Sequence, residues 1–132
     1  MTNLIKSFTY GEDITEKTAV KFQSEGVVEP ATSQTDNICG IALFTGSKGA
    51  KGDILMLGLG LVATTGSVNA GDLLISDENG KLKTFSTEDF EESTNVTVVA
   101  KSLETASTDA FLNALVNPQF VSVHVDSDSS EN

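Results

Sequence analysis

Short runs of alternating apolar and polar residues, broken by turns that carry glycine, constrain this chain more than any other feature. A side-chain period of two belongs to a strand with one face covered, and a helix cannot satisfy it. The pattern predicts strands over Ala19 to Phe22, Val27 to Ala31 and Ile38 to Thr45, then over Asp53 to Val62 and Asp72 to Asp77. Lys81 to Phe85, Val96 to Ser102 and Gln119 to Val125 follow. Ser24-Glu25-Gly26 reads as a turn, and Asn79-Gly80 is the strongest hairpin signal because both residues tolerate positive φ. The expected class is all-β, a single small β-barrel or β-sandwich.

One segment departs from period two. Phe111, Leu112, Leu115 and Val116 have helical spacing, Thr108 or Asp109 stands where a cap belongs, and Asn117-Pro118 would end the helix. A short helix is therefore expected over Asp109 to Val116. Residues 1 to 16 read as an N-terminal extended arm in which Ile5 to Tyr10 alternate as in a strand, residues 17 to 125 as the β-domain, and residues 126 to 132, only Asp, Ser, Glu and Asn, as a disordered acidic tail. Ala50-Lys51-Gly52-Asp53-Ile54-Leu55 echoes Asn69-Ala70-Gly71-Asp72-Leu73-Leu74, which suggests two similar corners and is too short to establish a repeat architecture.

Charge narrows the partners. Eight basic against 19 acidic residues leave a net charge of −11, the wrong sign for a phosphate-binding surface, so no nucleic-acid partner is expected. The longest apolar stretch, Ile54 to Ala63, contains Gly58 and Gly60 and is about half the ~20 residues a membrane helix needs, so no membrane partner is expected. With no apolar leader near Lys6, a soluble protein made in the cytoplasm is expected.

The chemistry-bearing motifs are thin. Gly58-Leu59-Gly60-Leu61-Val62-Ala63 matches G-x-G-x-x-A, but Thr64-Thr65-Gly66-Ser67 follows in place of the required helix. Gly46-Ser47-Lys48-Gly49-Ala50-Lys51 lacks the phosphate-loop spacing. Cys39 sits in a buried-looking strand, and the single histidine, His124, lies on another strand; a Cys–His pair is allowed by spacing but is a poorer reading than a small buried hydrophobe. The acids at Asp77-Glu78, Glu88-Asp89 and Glu91-Glu92 have no calcium-loop spacing and read as a solvated face. The expectation is no catalytic residue, cofactor or metal.

Several motifs together resemble the tailed-phage capsid cement, or head decoration, family of small β proteins. They are Gly26-Val27-Val28-Glu29-Pro30-Ala31-Thr32, Thr35-Asp36-Asn37-Ile38-Cys39-Gly40-Ile41-Ala42, Gly52-Asp53-Ile54-Leu55, and the run Ala70-Gly71-Asp72 through Gly80-Lys81-Leu82. Val99-Ala100 and Val121-Ser122-Val123 are similar to its closing strands, across residues 17 to 125 in all. The sequence departs from the family in lacking a glycine before Val99-Ala100 and in the segment Asp109 to Val116.

The resemblance implies a structural virion protein on the exterior of a phage capsid. It would stabilise the shell by bridging major capsid subunits and would cluster as a homotrimer. The alternative is another virion surface module, a head fibre base or a host-binding adhesin. The residues themselves point to one contact: Leu4, Ile5, Phe8, Tyr10 and Ile14 are too many apolar side chains for a short arm to bury, so they are expected at a capsid or subunit contact.

Overall fold

The computed structural model describes residues 3–86 and 93–124, and these form nine strands. In chain order they are β1 (Leu4–Tyr10), β2 (Ala19–Ser24), β3 (Val27–Pro30), β4 (Ile38–Ala42) and β5 (Lys51–Thr64), then β6 (Leu73–Ser76), β7 (Leu82–Thr84), β8 (Thr94–Ser102) and β9 (Ala110–Val123). The all-β expectation holds. The acids Glu88, Asp89, Glu91 and Glu92, read as a solvated face, and the tail over residues 126 to 132 lie outside the described residues.

Pairing closes β1-β3-β2-β4-β5 into a five-stranded barrel, because β5 returns to pair with β1. The remaining strands close a second circuit, β5-β7-β6-β8-β9, because β9 returns to pair with β5. Strand β5 serves both. Its first half faces the first ring through Ile54, and Leu55 and Val62 face the larger core of the second. The phase of the strand changes at the irregular register between Leu4 and Ile5, where a bulge shifts Leu55 to Leu57 against β1.

The two rings repeat one plan. In both, the first and third strands run parallel and every other neighbouring pair is antiparallel. The isolated bridge Ile14–Gly46 recurs as Val68–Ala106, a shift of 68 − 14 = 54 residues at the front of the unit and 106 − 46 = 60 at the back. The backbone bonds follow the same offsets. Lys17 N–H donates to Ala42 and Gly71 N–H to Ser102; Leu43 N–H donates to Asp53 and Leu103 N–H to Asn113; Gly11 N–H donates to Val28 and Thr65 N–H to Leu82. Lys17, the one non-glycine residue with positive φ (67°) among the described residues, stands where the second unit has Gly71 (95°).

This repeat corrects the sequence echo. Gly71-Asp72 is a corner, with Gly71 in the left-handed region and the Asp72 carboxylate accepting from Asn69 N–H at 2.9 Å and the Thr84 hydroxyl at 3.0 Å. Gly52-Asp53 is not a corner. Gly52 lies inside β5, and a Cβ there would come within 2.2 Å of the Tyr10 hydroxyl, so glycine is needed for close approach rather than for a turn.

The helix expected over Asp109 to Val116 is also corrected. Residues 110–116 are the first half of β9, pairing with β5 from Thr64–Ala110 to Gly58–Val116. Leu112, Ala114 and Val116 face inward, and Phe111 and Leu115 turn out. Apolar residues on both faces of a strand mimicked helical spacing, and Ala114 was too small to reveal the alternation. Pro118 does not end the element. Asn117 and Pro118 together stand opposite Val99, between the pairs Val116–Ala100 and Gln119–Val98, and such a bulge has no ladder position needing the missing N–H.

The segment read as an arm is part of the barrel. β1 pairs with β5 from Leu4–Leu57 to Thr9–Lys51 and with β3 at Thr9–Val27 and Tyr10–Val28. Two strands bonding β1, one on each edge, remove the freedom an arm would have.

Candidate interaction surface

Of the five residues expected at a contact, three are interior. Phe8, Tyr10 and Ile14 are buried in the core of the first ring with Val20, Val28, Cys39, Ala42 and Ile54. The Tyr10 hydroxyl donates to the carbonyl oxygen of Phe44 at 2.7 Å. Burial, helped by the charge of Asp53, raises its pKa above the usual tyrosine value. Leu4 and Ile5 do reach the surface, at 54% and 44% exposure.

Leu4 opens onto a surface that the sequence reading did not identify. Along the second half of β5, Leu57, Leu59 and Leu61 point outward, and Gly58 and Gly60 occupy the inward phase. A Cβ on Gly60 would come within 2.7 Å of Leu55, so the interior has no room for a larger residue and the leucines fall on the outer face. Leu4 stands opposite Leu57, Leu115 opposite Leu59, and Phe111, 62% exposed, opposite Ala63. The motif Leu57-Gly58-Leu59-Gly60-Leu61 was legible in the sequence, but alternation alone does not say which phase faces water.

The duplicated plan supplies an internal control for this surface. At the corresponding places the first ring carries Ser7 for Leu61, Thr9 for Ala63, Lys51 for Phe111 and Asp53 for Asn113, by the offsets given above. There the Ser7 hydroxyl donates to Asp53 Oδ1 at 2.7 Å. The first ring is thus polar at two places where the second carries outward Leu61 and Phe111, whereas Ile5 stands for Leu59 and Leu55 for Leu115. Exposed apolar side chains clustered in this way form a candidate interaction surface.

The residues weighed for chemistry are placed apart. Cys39 is buried in the first ring, and burial pushes its thiol up to about 12, so it is not a thiolate near neutrality. His124 is exposed just beyond the end of β9. Gly58-x-Gly60-x-x-Ala63 lies within a strand, as the absence of a following helix required. Asp109, read as a helix cap, instead accepts Gly66 N–H at 2.9 Å and the Thr65 hydroxyl at 3.0 Å, which holds its pKa below the ordinary carboxylate value. A cleft beside it is floored by Ala63, Ala110 and Phe111, with Lys17 lying 5.7 Å over the Phe111 ring. Its carboxylates are already engaged, Asp109 as above and Glu16 with Lys17 at 2.6 Å. No group of three or more metal-ligating side chains occurs among the described residues.

Two closed β-rings sharing a strand, with an apolar outer stripe as their distinctive surface, define a small β-barrel module. The chain belongs to the phage cement protein family, whose model matches residues 4–117, so that β1 is part of the family domain. It is a phage capsid structural protein. Among solved structures it is similar to the head fibre gp8.5 N base of bacteriophage phi29, with a TM-score of 0.61 and 13% identity, over 88% of this chain and 95% of that one. At that identity the likeness is one of fold. No curated protein sequence matches the chain.

Proposed function

We propose that the protein decorates the outside of a phage capsid and stabilises the shell by bridging major capsid subunits. The observation that carries this reading, beyond family membership, is the outward leucine stripe of β5. Leu57, Leu59 and Leu61, with Leu4 and Ile5 of β1, form the seat on the shell. Phe8, Tyr10 and Ile14 act behind it by fixing β1 in the barrel. The protein works without a catalytic group, since rigid strands and repeated contacts are enough. Each copy binds only the assembled lattice and so shifts the equilibrium towards the intact shell, and lattice repetition multiplies a weak contact. The copies cluster as a homotrimer.

The test is cosedimentation with purified heads lacking the protein, followed by heat or osmotic challenge. Binding with a higher rupture temperature is expected; heads that neither bind the protein nor gain resistance would overturn the reading. The likeness to a head fibre base supports a second reading, in which the protein anchors a projecting fibre. Occupancy separates the two: a cement covers the repeated lattice sites, and a fibre base sits at few positions in a density map of the head.

A further inference from the structure

The internal repeat shows what one face of the second ring is missing. Ala19, Ile41, Leu55 and Ile5 form a row across β2, β4, β5 and β1 on the outside of the first ring. The second ring covers the first three of these, and Ile5 at the end of the row stays 44% exposed. Ala19, Ile41 and Leu55 are at most 1% exposed and pack into the second ring's core with Val62, Leu74 and Leu82. The β6–β7 hairpin closes over its end, where the Gly80 carbonyl accepts Ala19 N–H at 2.7 Å.

The corresponding row of the second ring is Leu73, Lys101, Leu115 and Leu59, across β6, β8, β9 and β5. Leu73 is 43% exposed, Lys101 is exposed and Leu115 half-buried. This row has the strand register of the internal seat, and among the described residues nothing is seated on it. Its counterpart is open too. The β2–β3 hairpin is the first ring's version of the β6–β7 hairpin, with Gly26 at φ 76° where the other has Gly80 at 80°. A Cβ on Gly80 would stand 3.1 Å from Ala19, whereas around Gly26 there is open space, and Phe22 and Glu25 beside it are exposed.

We infer that a second copy of this chain occupies the row. The β2–β3 hairpin of one copy seats on Leu73, Lys101 and Leu115 of the next, as the β6–β7 hairpin seats on Ala19, Ile41 and Leu55 within the chain. A copy carries both halves of the contact on different surfaces, so the contact is heterologous and runs head to tail. Charge agrees. Lys101 replaces Ile41 in the open row and meets Glu25 on the incoming hairpin, whereas two such rows face to face would oppose Lys101 to Lys101. The inference rests on the self-association proposed above and gives it a surface and a direction.

Cross-linking decides it. Glu25→Cys and Leu73→Cys are made singly, mixed, and treated with a short bismaleimide in solution and on heads; Cys39 is buried and does not compete. The mixture is expected to give a cross-linked pair that neither variant gives alone, and Leu73→Glu is expected to shift the sedimentation of the protein to that of a monomer with its circular dichroism unchanged. Leu73→Cys cross-linking to itself would overturn the direction. No mixed cross-link in either setting, with head binding retained, would overturn the contact and leave the cement reading standing. Failure of the wild type to bind heads would remove the cement reading, with the solution cross-link still deciding the contact.

Discussion

The carbonyl oxygen of Gly80 accepts the backbone N–H of Ala19 at 2.7 Å, and this bond ties the hairpin of the second ring to the second strand of the first. Gly80 and Gly26 share the left-handed conformation, but only Gly80 has neighbours within contact distance. Replacing Gly26 with Ala is expected to cost about 1 kcal/mol, from φ alone. Gly80→Ala is expected to cost measurably more, and Gly80→Val more again, because the added Cβ meets the Ala19 carbonyl. Urea unfolding of the variants at low protein concentration checks this; equal losses at both sites would mean that the hairpin does not bear on β2.

Tyr10 is the only tyrosine in the chain, and the chain has no tryptophan, so its absorbance reports one site. The native phenol has a raised pKa, chiefly from burial. Above pH ~10 the unfolded chain therefore loses this proton more readily than the folded one, and stability falls as pH rises. Phenolate absorbance is expected to appear together with loss of β-structure in an alkaline titration. Tyr10→Phe leaves the Phe44 carbonyl without its donor and is expected to cost about 1–3 kcal/mol.

Asp109 shifts the other way. Its carboxylate is held charged by Gly66 N–H and the Thr65 hydroxyl, so its contribution is present at neutral pH and is lost as pH falls through its lowered pKa. A carboxyl titration followed by nuclear magnetic resonance is expected to place Asp109 below the ordinary aspartate value. Asp109→Asn is expected to flatten the acid limb of the stability profile.

Cys39 is expected to resist thiol reagents in the folded protein and react fully on denaturation, since burial keeps it protonated. Cys39→Ser and His124→Ala are expected to leave head binding intact. Loss of binding by either variant, folded, would assign that residue a functional part.

The stripe variants separate contact from folding. Leu57→Ser and Leu61→Ser sit on an exposed face and are expected to change stability by no more than about 0.5 kcal/mol. Head binding is expected to fall at least tenfold in the double variant. Binding equal to wild type, measured by cosedimentation, would remove the stripe from the capsid contact.

Period two, the turn at Asn79-Gly80, the corner at Gly71-Asp72 and the buried Cys39 were all legible in the residues, because each follows from local backbone and side-chain chemistry. The family was legible for the same reason, since its motifs are turn and strand signatures. Long-range pairing was not. β9 has apolar residues on both faces because it closes a ring inside and carries the stripe outside, and a one-dimensional pattern reads that as a helix. Phe8, Tyr10 and Ile14 looked unpartnered because the residues they pack with, among them Val28, Ala42 and Ile54, are not their neighbours in sequence. The repeat escaped notice because it lives in hydrogen-bond register: Lys17 stands for Gly71 and Lys51 for Phe111, and backbone geometry tolerates those exchanges. Sequence determined most of the extended segments and turns, since those choices are made within a few residues, but not the first half of β9 or the course of the chain through Gly52-Asp53. Only the tertiary structure decided which leucines were left facing water, since that depends on a glycine phase inside β5 and a bulge set by its pairing with β1.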